Sequence, residues 1–492
     1  MKTDMKIEKF NICDSTVDVC VSFSTQELLR CARVSIVFEC DSANRRLPMR
    51  VKKYEDKVVA YGKYDCAYVF YKLNPKSVKF AFVFSDGREG NKYFPTDFSV
   101  DNIKKSRIKH LLGMSSKEFG KHMIGGLLNA MALPFRALRV KSNRVLFLTN
   151  RTKLPTGNLK AIYNQVKDMP DLDVKLLCSN GGAKGNIPVL FRFFRLYMTS
   201  KVVFVDDYYH LISFVNKKAD TKLIQLWHGC GAFKTFGFSR YHKASQLQID
   251  SANHRQYDYA IVSSESVRSV YAEAFGISKE KVLALGSPRC DVLIDETHKN
   301  SVVAKFYKKY PELKDKKILL FAPTFRGKGN GNCYYPVENF NVDKVLDILG
   351  DEWAVVIKLH PYLTEKFSCS GENKNRMADC SSSDINDILY VTDFLVTDYS
   401  SVIYEASILD IPMAFLAFDL EEFIAKRDFY FDFKAFVPGP IVATDDELAE
   451  LVKSGGGDLH AVKVFRENAF GNSLGNACSN VIDLMNKILN EE

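Results

Sequence analysis

From Asn143 onward the chain repeats one unit: a short apolar run, a few small or polar residues, then a stretch with helical periodicity. The runs are Arg144–Leu148, Val174–Cys178, Val202–Val205, Leu223–Leu226, Tyr259–Val262 and Val282–Leu285. A second series follows at Ile318–Phe321, Ala354–Leu359, Phe394–Val396, Met413–Ala417 and Ile441–Val442. A strand covered on both faces has no polar side to alternate with, so such runs read as strands of parallel sheets joined by helical crossovers. Two series predict two doubly wound α/β domains, over 143–300 and 301–492. In that fold class ligands bind beyond the carboxyl ends of the strands.

The first 101 residues have a different texture. Val17–Phe23, Val34–Phe38, Cys66–Tyr71 and Val78–Phe84 are short β-like runs, the last followed by the turn pair Asp86-Gly87. They predict a small β-sandwich, a binding or packing module with nothing catalytic in it.

Residues 102–144 lie between these regions and hold Lys104, Lys105, Arg107, Lys109, Lys117, Lys121, Arg136, Arg139, Lys141 and Arg144 against Glu118 alone. The whole chain has a net charge of +9, and this segment accounts for all of it. Phe119, Met123, Leu127, Met131 and Phe135 recur four apart. A basic amphipathic helix over 102–142 that lies on an anionic membrane surface is the reading preferred. A solvated linker helix is the plainer alternative, with Gly125-Gly126 and Pro134 expected to interrupt it. Nucleic acid is disfavoured, because no aromatic residues interleave with the charge.

Twelve scattered cysteines without a CxxC pair argue for a reducing compartment. The N-terminus lacks an apolar signal core. The apolar stretch Met123–Phe135 falls short of the ~20 residues that span a bilayer. The expected location is the cytoplasm.

The residues that carry chemistry sit just past strand ends. Leu226-Trp227-His228-Gly229 and Ile357-Lys358-Leu359-His360-Pro361 each deliver a histidine to a carboxyl end, where proton transfer near neutral pH is its natural work. A structural role is the alternative for either one alone. Phe321-Ala322-Pro323-Thr324-Phe325-Arg326 ends a strand in an arginine suited to a phosphate or to a surface salt bridge. Thr397-Asp398-Tyr399-Ser400-Ser401 leads into a helix, so the serines lie where free N–H groups bind anions or where a side chain merely caps; Glu405 follows one turn on, in position to hydrogen-bond a ribose. There is no Walker motif and no GxGxxG after a strand. Asp206-Asp207 and Asp171-x-Asp173 read as ordinary surface pairs, and no metal cluster is expected.

Taken together, WHGCGAFKTFGF at 227–238, GSPRCDVL at 286–293, LLFAPTFRG at 319–327, IKLHP at 357–361 and TDYSS at 397–401 resemble the CDP-glycerol glycerophosphotransferase family. That group contains the teichoic-acid primases and polymerases and similar capsule enzymes. Phe429–Phe433 with Pro438–Val442 also looks like the family's substrate loop. The resemblance covers about 145–480. It implies a GT-B fold of two facing domains and phosphoryl transfer from CDP-glycerol or CDP-ribitol to a lipid-linked polyol-phosphate or glycan acceptor, with release of CMP. It implies His228 as general base and His360 at the diphosphate or leaving group. Arg326, Ser400 and Ser401 would hold the pyrophosphate, and Asp398 the alditol or the phosphate loop. Gly229, Pro288, Arg289, Thr324 and Glu405 are carried over as substrate-binding. No cofactor and no divalent metal are implied, and the place of work is the inner membrane face.

Three departures touch specificity. Cys230-Gly231-Ala232 replaces the usual Thr-Pro-Leu type of run, and Ser287 and Cys290 stand where Tyr and Asn are common. Gly471 stands where the family often has Asp. Ser287 and the GAFKTFG run look closer to the ribitol-phosphate branch, while glycerol phosphate is the unit put first. A nucleotide-sugar glycosyltransferase and a non-catalytic membrane scaffold are the alternatives.

Overall fold

The computed structural model describes residues 5–13, 16–24, 34–40, 44–54, 57–65, 69, 78–84, 116–178, 186–240, 254–327, 332–360, 362–427 and 429–491. The chain divides into two compact units, 1–289 with 429–432 and 476–492, and 290–428 with 433–475.

The first unit opens with seven antiparallel strands: β1 (Lys6–Cys13), β2 (Thr16–Ser24), β3 (Val34–Cys40), β4 (Asn44–Pro48), β5 (Arg50–Lys53), β6 (Lys57–Asp65) and β7 (Val78–Phe84). They form two sheets, ordered β1-β2-β6-β5 and β4-β3-β7. Period-2 burial explains why they pair face to face. Val17, Val19, Val21 and Phe23 of β2 share one core with Val34, Ile36 and Phe38 of β3 and with Phe80 and Phe82 of β7. This is the expected sandwich; Asp86-Gly87 and, Val69 apart, Cys66–Tyr71 lie outside the described residues. Ser35, on the opposite face of β3, and Arg46 of β4 both reach Glu273, Arg46 through Nε at 3.3 Å. Ser239 Oγ donates to the same carboxylate at 2.6 Å. A buried carboxylate needs such partners, and here they come from both sides of the seam between sandwich and α/β body.

The body of this unit is a parallel sheet of β8 (Lys141–Thr149), β9 (Asp173–Cys178), β10 (Ser200–Val205), β11 (Lys222–Gln225), β12 (Tyr259–Ile261) and β13 (Val282–Leu283), ordered β13-β12-β11-β10-β8-β9. Successive residues feed two cores. Leu146, Leu148, Val203, Val205 and Leu223 pack on one face with the helices Ile187–Tyr197 and Arg268–Phe275. Val145, Phe147, Val202, Phe204 and Ile224 pack on the other with Gly157–Val166 and Ala477–Leu489. The last helix therefore departs from the sequence reading, which grouped it with 301–492: Cys478, Val481, Ile482 and Met485 fill the core of the first unit. Strand order reverses between β8 and β10, which is the crevice position of a doubly wound sheet.

The second unit repeats the plan with β14 (Lys317–Phe321), a hairpin of β15 (Arg326–Gly327) and β16 (Cys333–Tyr334), then β17 (Trp353–Ile357), β18 (Met377–Asp379), β19 (Phe394–Thr397), β20 (Met413–Leu416) and β21 (Ile441–Val442). Its parallel sheet runs β18-β17-β14-β19-β20-β21, with the reversal between β14 and β19.

The helix Ser116–Arg136 runs unbroken through Gly125-Gly126, and Pro134 falls in its last turn. The interruption expected from these residues does not occur, because the helix is held from outside. Asn129 donates to Phe214 O at 2.5 Å and accepts from Asn216 N, while Arg136 donates to Asn216 O. Leu128, Met131 and Phe135 pack on the body, whereas Met123, Ile124 and Leu127 stay exposed. Of the other basic residues counted with this segment, Arg144 is buried against Asp173 at 2.7 Å, and Lys141 approaches that carboxylate at 3.7 Å. Residues 102–115 lie outside the described residues. Among the described residues no helix is long and apolar enough to cross a membrane.

Candidate active site

In the first unit the site is built at the carboxyl ends of β8, β10 and β11. β11 ends at Gln225, and two residues later Trp227 takes φ = +55°. A bulky side chain enters the left-handed region at a cost of about 1–2 kcal/mol, so this turn must be held. His228 follows, about one third exposed, with its ring lying on the Trp227 indole at 4.4 Å between centroids. Gly229 leaves open space beside it, since a Cβ there would touch nothing within 4 Å.

The imidazole Nδ1 is buried and faces Asp207 Oδ2 at 3.8 Å. Arg151 Nε approaches the same oxygen at 3.4 Å. Burial pulls the His228 pKa below its ordinary value, and Asp207 offsets part of that pull. Asp206 is 1% exposed, with its carboxylate buried beside the Thr149 hydroxyl and Arg151. Burial pushes its pKa up to about 6, while the Thr149 hydroxyl and Arg151 recover only part of the cost. Asp206-Asp207, expected as a surface pair, is instead buried at Asp206 and half-buried at Asp207. Their place directly after β10, beside the sheet's reversal, was the signal that marks them.

Arg289 closes this site, donating from Nη1 to His228 O at 3.1 Å. Pro288 is buried, and its carbonyl faces Cys478 Sγ. The stretch expected as a substrate loop does structural work at its start. Phe429 and Tyr430 are buried, Tyr430 N donates to Phe233 O at 3.0 Å, and its ring joins the core beneath the Trp227 turn.

In the second unit, motif residues gather at the reversal between β14 and β19. Asp398, 1% exposed, accepts from Thr324 N at 2.7 Å and from Arg326 Nη1 at 2.8 Å, pinning the two strand-end turns together. Arg326 also donates from Nε and Nη2 to Asp419 at 2.7 and 2.8 Å, and from Nη1 to Thr324 O. Four of its five N–H donors are thus used, and its plane packs near Tyr399 and Phe423. The expected phosphate grip is therefore mostly committed to protein carboxylates. Among the described residues one donor is left, and Asp419, distant in sequence, is a partner that the strand-end motif does not announce.

His360 is exposed between Phe325 and Tyr362, with ring centroids 4.8 and 4.7 Å away. Its Nδ1 accepts from Tyr362 N at 3.2 Å, which leaves Nε2 to carry the proton of the neutral ring as a donor. Ser401 precedes the helix Val402–Ile408, and Ser400 Oγ accepts from Val402 N at 3.3 Å. Glu405, on that helix, is 4% exposed.

The profile of the CDP-glycerol:poly(glycerophosphate) glycerophosphotransferase family matches residues 130–487. The teichoic acid poly(ribitol-phosphate) polymerase of Bacillus spizizenii is 38% identical over 387 residues, covering 78% of this chain and 62% of the relative. The teichoic acid glycerol-phosphate primase of Bacillus subtilis is 28% identical over 340 residues, covering 67% and 85%. The chain spans about three-fifths of the length of the ribitol-phosphate polymerases it matches. Among solved structures, the wall teichoic acid polymerase TagF superposes with a TM-score of 0.60 at 21% identity, over 80% of this chain and 98% of that one. The fold is shared with TagF, and the chain belongs to the CDP-glycerol:poly(glycerophosphate) glycerophosphotransferase family.

Proposed function

We propose that this protein transfers an alditol-phosphate unit from a CDP-alditol to a hydroxyl of a teichoic-acid or capsular polymer. His228 takes the proton of the attacking hydroxyl on Nε2. The hydroxyl oxygen bonds to the β-phosphorus, the anhydride bond to the α-phosphate breaks, and CMP leaves. Asp207, facing Nδ1, stabilises the imidazolium that forms. The observation that carries this reading is a strand-end histidine whose second nitrogen faces a carboxylate, within a chain of this family.

The donor's phosphates are assigned to the second unit. Ser400 and Ser401, the backbone N–H groups beside them, and Nε2 of His360 supply donors to phosphate oxygens and to the leaving group. Arg326, Asp398 and Thr324 hold the turns that carry these groups. Arg289, Gly229 and Pro288 shape the acceptor side.

Ribitol phosphate is put first as the unit transferred, because the ribitol-phosphate polymerase is 38% identical and the glycerol-phosphate primase 28%. Glycerol phosphate, which the sequence reading put first, is the second reading and is favoured by the family's description. The acceptor is taken to be lipid-linked at the inner membrane face, with Met123, Ile124 and Leu127 meeting the lipid. His228→Ala tests the chemistry: turnover should fall at least 1000-fold with CDP-alditol binding retained. Unchanged turnover removes the histidine from the mechanism.

A further inference from the structure

Two buried side-chain amides hold the turn that presents His228. Gln225, fully buried, accepts from Trp227 N at 2.8 Å, and its Nε2 donates to Tyr257 Oη at 2.8 Å and to Asp207 O at 3.2 Å. Asn158, 2% exposed, donates from Nδ2 to Leu226 O at 2.9 Å and to Trp227 O at 3.1 Å. Its Oδ1 accepts from Ser287 Oγ at 3.1 Å and from Arg289 N at 2.9 Å.

Although Asn158 lies in the first turn of the helix Gly157–Val166, none of these bonds caps that helix. All four leave it, two for the histidine turn and two for the loop whose Arg289 bonds His228 O.

We propose that Asn158 is a positioning residue for His228, fixing the strained Trp227 turn and registering it against the Ser287–Arg289 loop so that the imidazole is aimed before the acceptor arrives. A left-handed Trp persists only where its surroundings over-determine it. Without the Asn158 amide, the Leu226 and Trp227 carbonyls lose a donor they share, and Trp227 is released towards negative φ. The side chain after it then points elsewhere. A base displaced by about 1 Å loses on the order of 100-fold in rate. The proposal rests on the reading of His228 as the base, and its test includes a readout that does not.

The chain holds two tryptophans, Trp227 and Trp353. Trp353→Phe therefore makes Trp227, which stacks on His228, the sole indole emitter. In the full-length Trp353→Phe protein, Trp227 emission is titrated from acid to neutral pH, and kcat and KM are measured with CDP-ribitol and CDP-glycerol. The same is done with Asn158→Ala, and with Asn158→Asp. The aspartate keeps the acceptor for Ser287 and Arg289 but sets an oxygen against the two carbonyls, and it decides the matter should the alanine variant not fold.

The parent should show a quenching step as His228 protonates. Both variants should lose most of that step, with kcat at least 30-fold lower and the donor KM within threefold. A parent without the step, or a folded variant that keeps both the step and its kcat, overturns the proposal. A fall in kcat with the step intact also overturns it, leaving Asn158 a structural residue only. If the parent turns over neither donor, the functional reading fails, and the titration still decides on Asn158.

Discussion

Nδ1 of His228 lies 3.8 Å from Oδ2 of Asp207, and Arg151 approaches that same carboxylate oxygen at 3.4 Å. One carboxylate thus faces both an imidazole and a guanidinium. Burial lowers the His228 pKa and Asp207 raises it. Asp207→Asn removes only the raising influence, so the acid limb of kcat/KM should move to lower pH. With the imidazolium less stabilised, kcat should fall about 10- to 100-fold. A pH–rate profile checks both, and a limb that stays in place or moves up contradicts the pairing.

Asp206 offers a stability test. Its carboxyl is raised in the folded chain to about 6 from an ordinary value of 3.8. A raised carboxyl destabilises the fold where it is ionised, above about pH 6, and ceases to do so as pH falls below its unfolded value. Asp206→Asn should therefore add about 2–3 kcal/mol at pH 7.5, with the gain shrinking towards pH 4. Denaturant unfolding at the two pH values measures it. A loss of stability at pH 7.5 would show that the ionised carboxylate is needed.

Arg326 is read here as a clamp more than a phosphate ligand. Arg326→Lys breaks the paired geometry with Asp398 and Asp419 and should cost about 3 kcal/mol, because it leaves the buried Asp398 and half-buried Asp419 carboxylates poorly matched. Well below the variant's Tm, the donor KM should stay within threefold of the parent. A KM raised tenfold or more in well-folded protein returns Arg326 to the pyrophosphate.

The exposed side chains of the helix Ser116–Arg136 test the membrane reading. Met123→Ser, Ile124→Ser and Leu127→Ser combined remove apolar surface without touching the packed face of Leu128, Met131 and Phe135. Sedimentation with phosphatidylglycerol vesicles should drop severalfold while Tm stays unchanged. Undiminished sedimentation shows that these residues do not meet lipid.

The parallel strands were legible because burial on both faces leaves a continuous apolar signature; Val145–Leu148 and Ile318–Phe321 carry it plainly. Met377–Asp379 escaped because three residues with one buried side chain have no such signature. The apolar stripe of the last helix was visible at Cys478, Val481, Ile482 and Met485, but which sheet a helix covers is not a local property. The strand-end places of His228 and His360 were legible for a local reason, since each follows an apolar run. Arg326 was read as a ligand because its partners Asp398 and Asp419 are distant in sequence, and pairing across such distances is decided by the fold. Asn158 carried no signal at all: it is an amide in a helix start, and its role comes from four bonds to other segments.

The most direct measurement gives the full chain CDP-ribitol and CDP-glycerol, each labelled in the alditol phosphate, with a lipid-linked polyol-phosphate primer, and resolves products by length. Transfer of labelled ribitol phosphate to the primer with equimolar CMP is the predicted result, abolished by His228→Ala. Transfer from neither donor by protein that binds both contradicts the account.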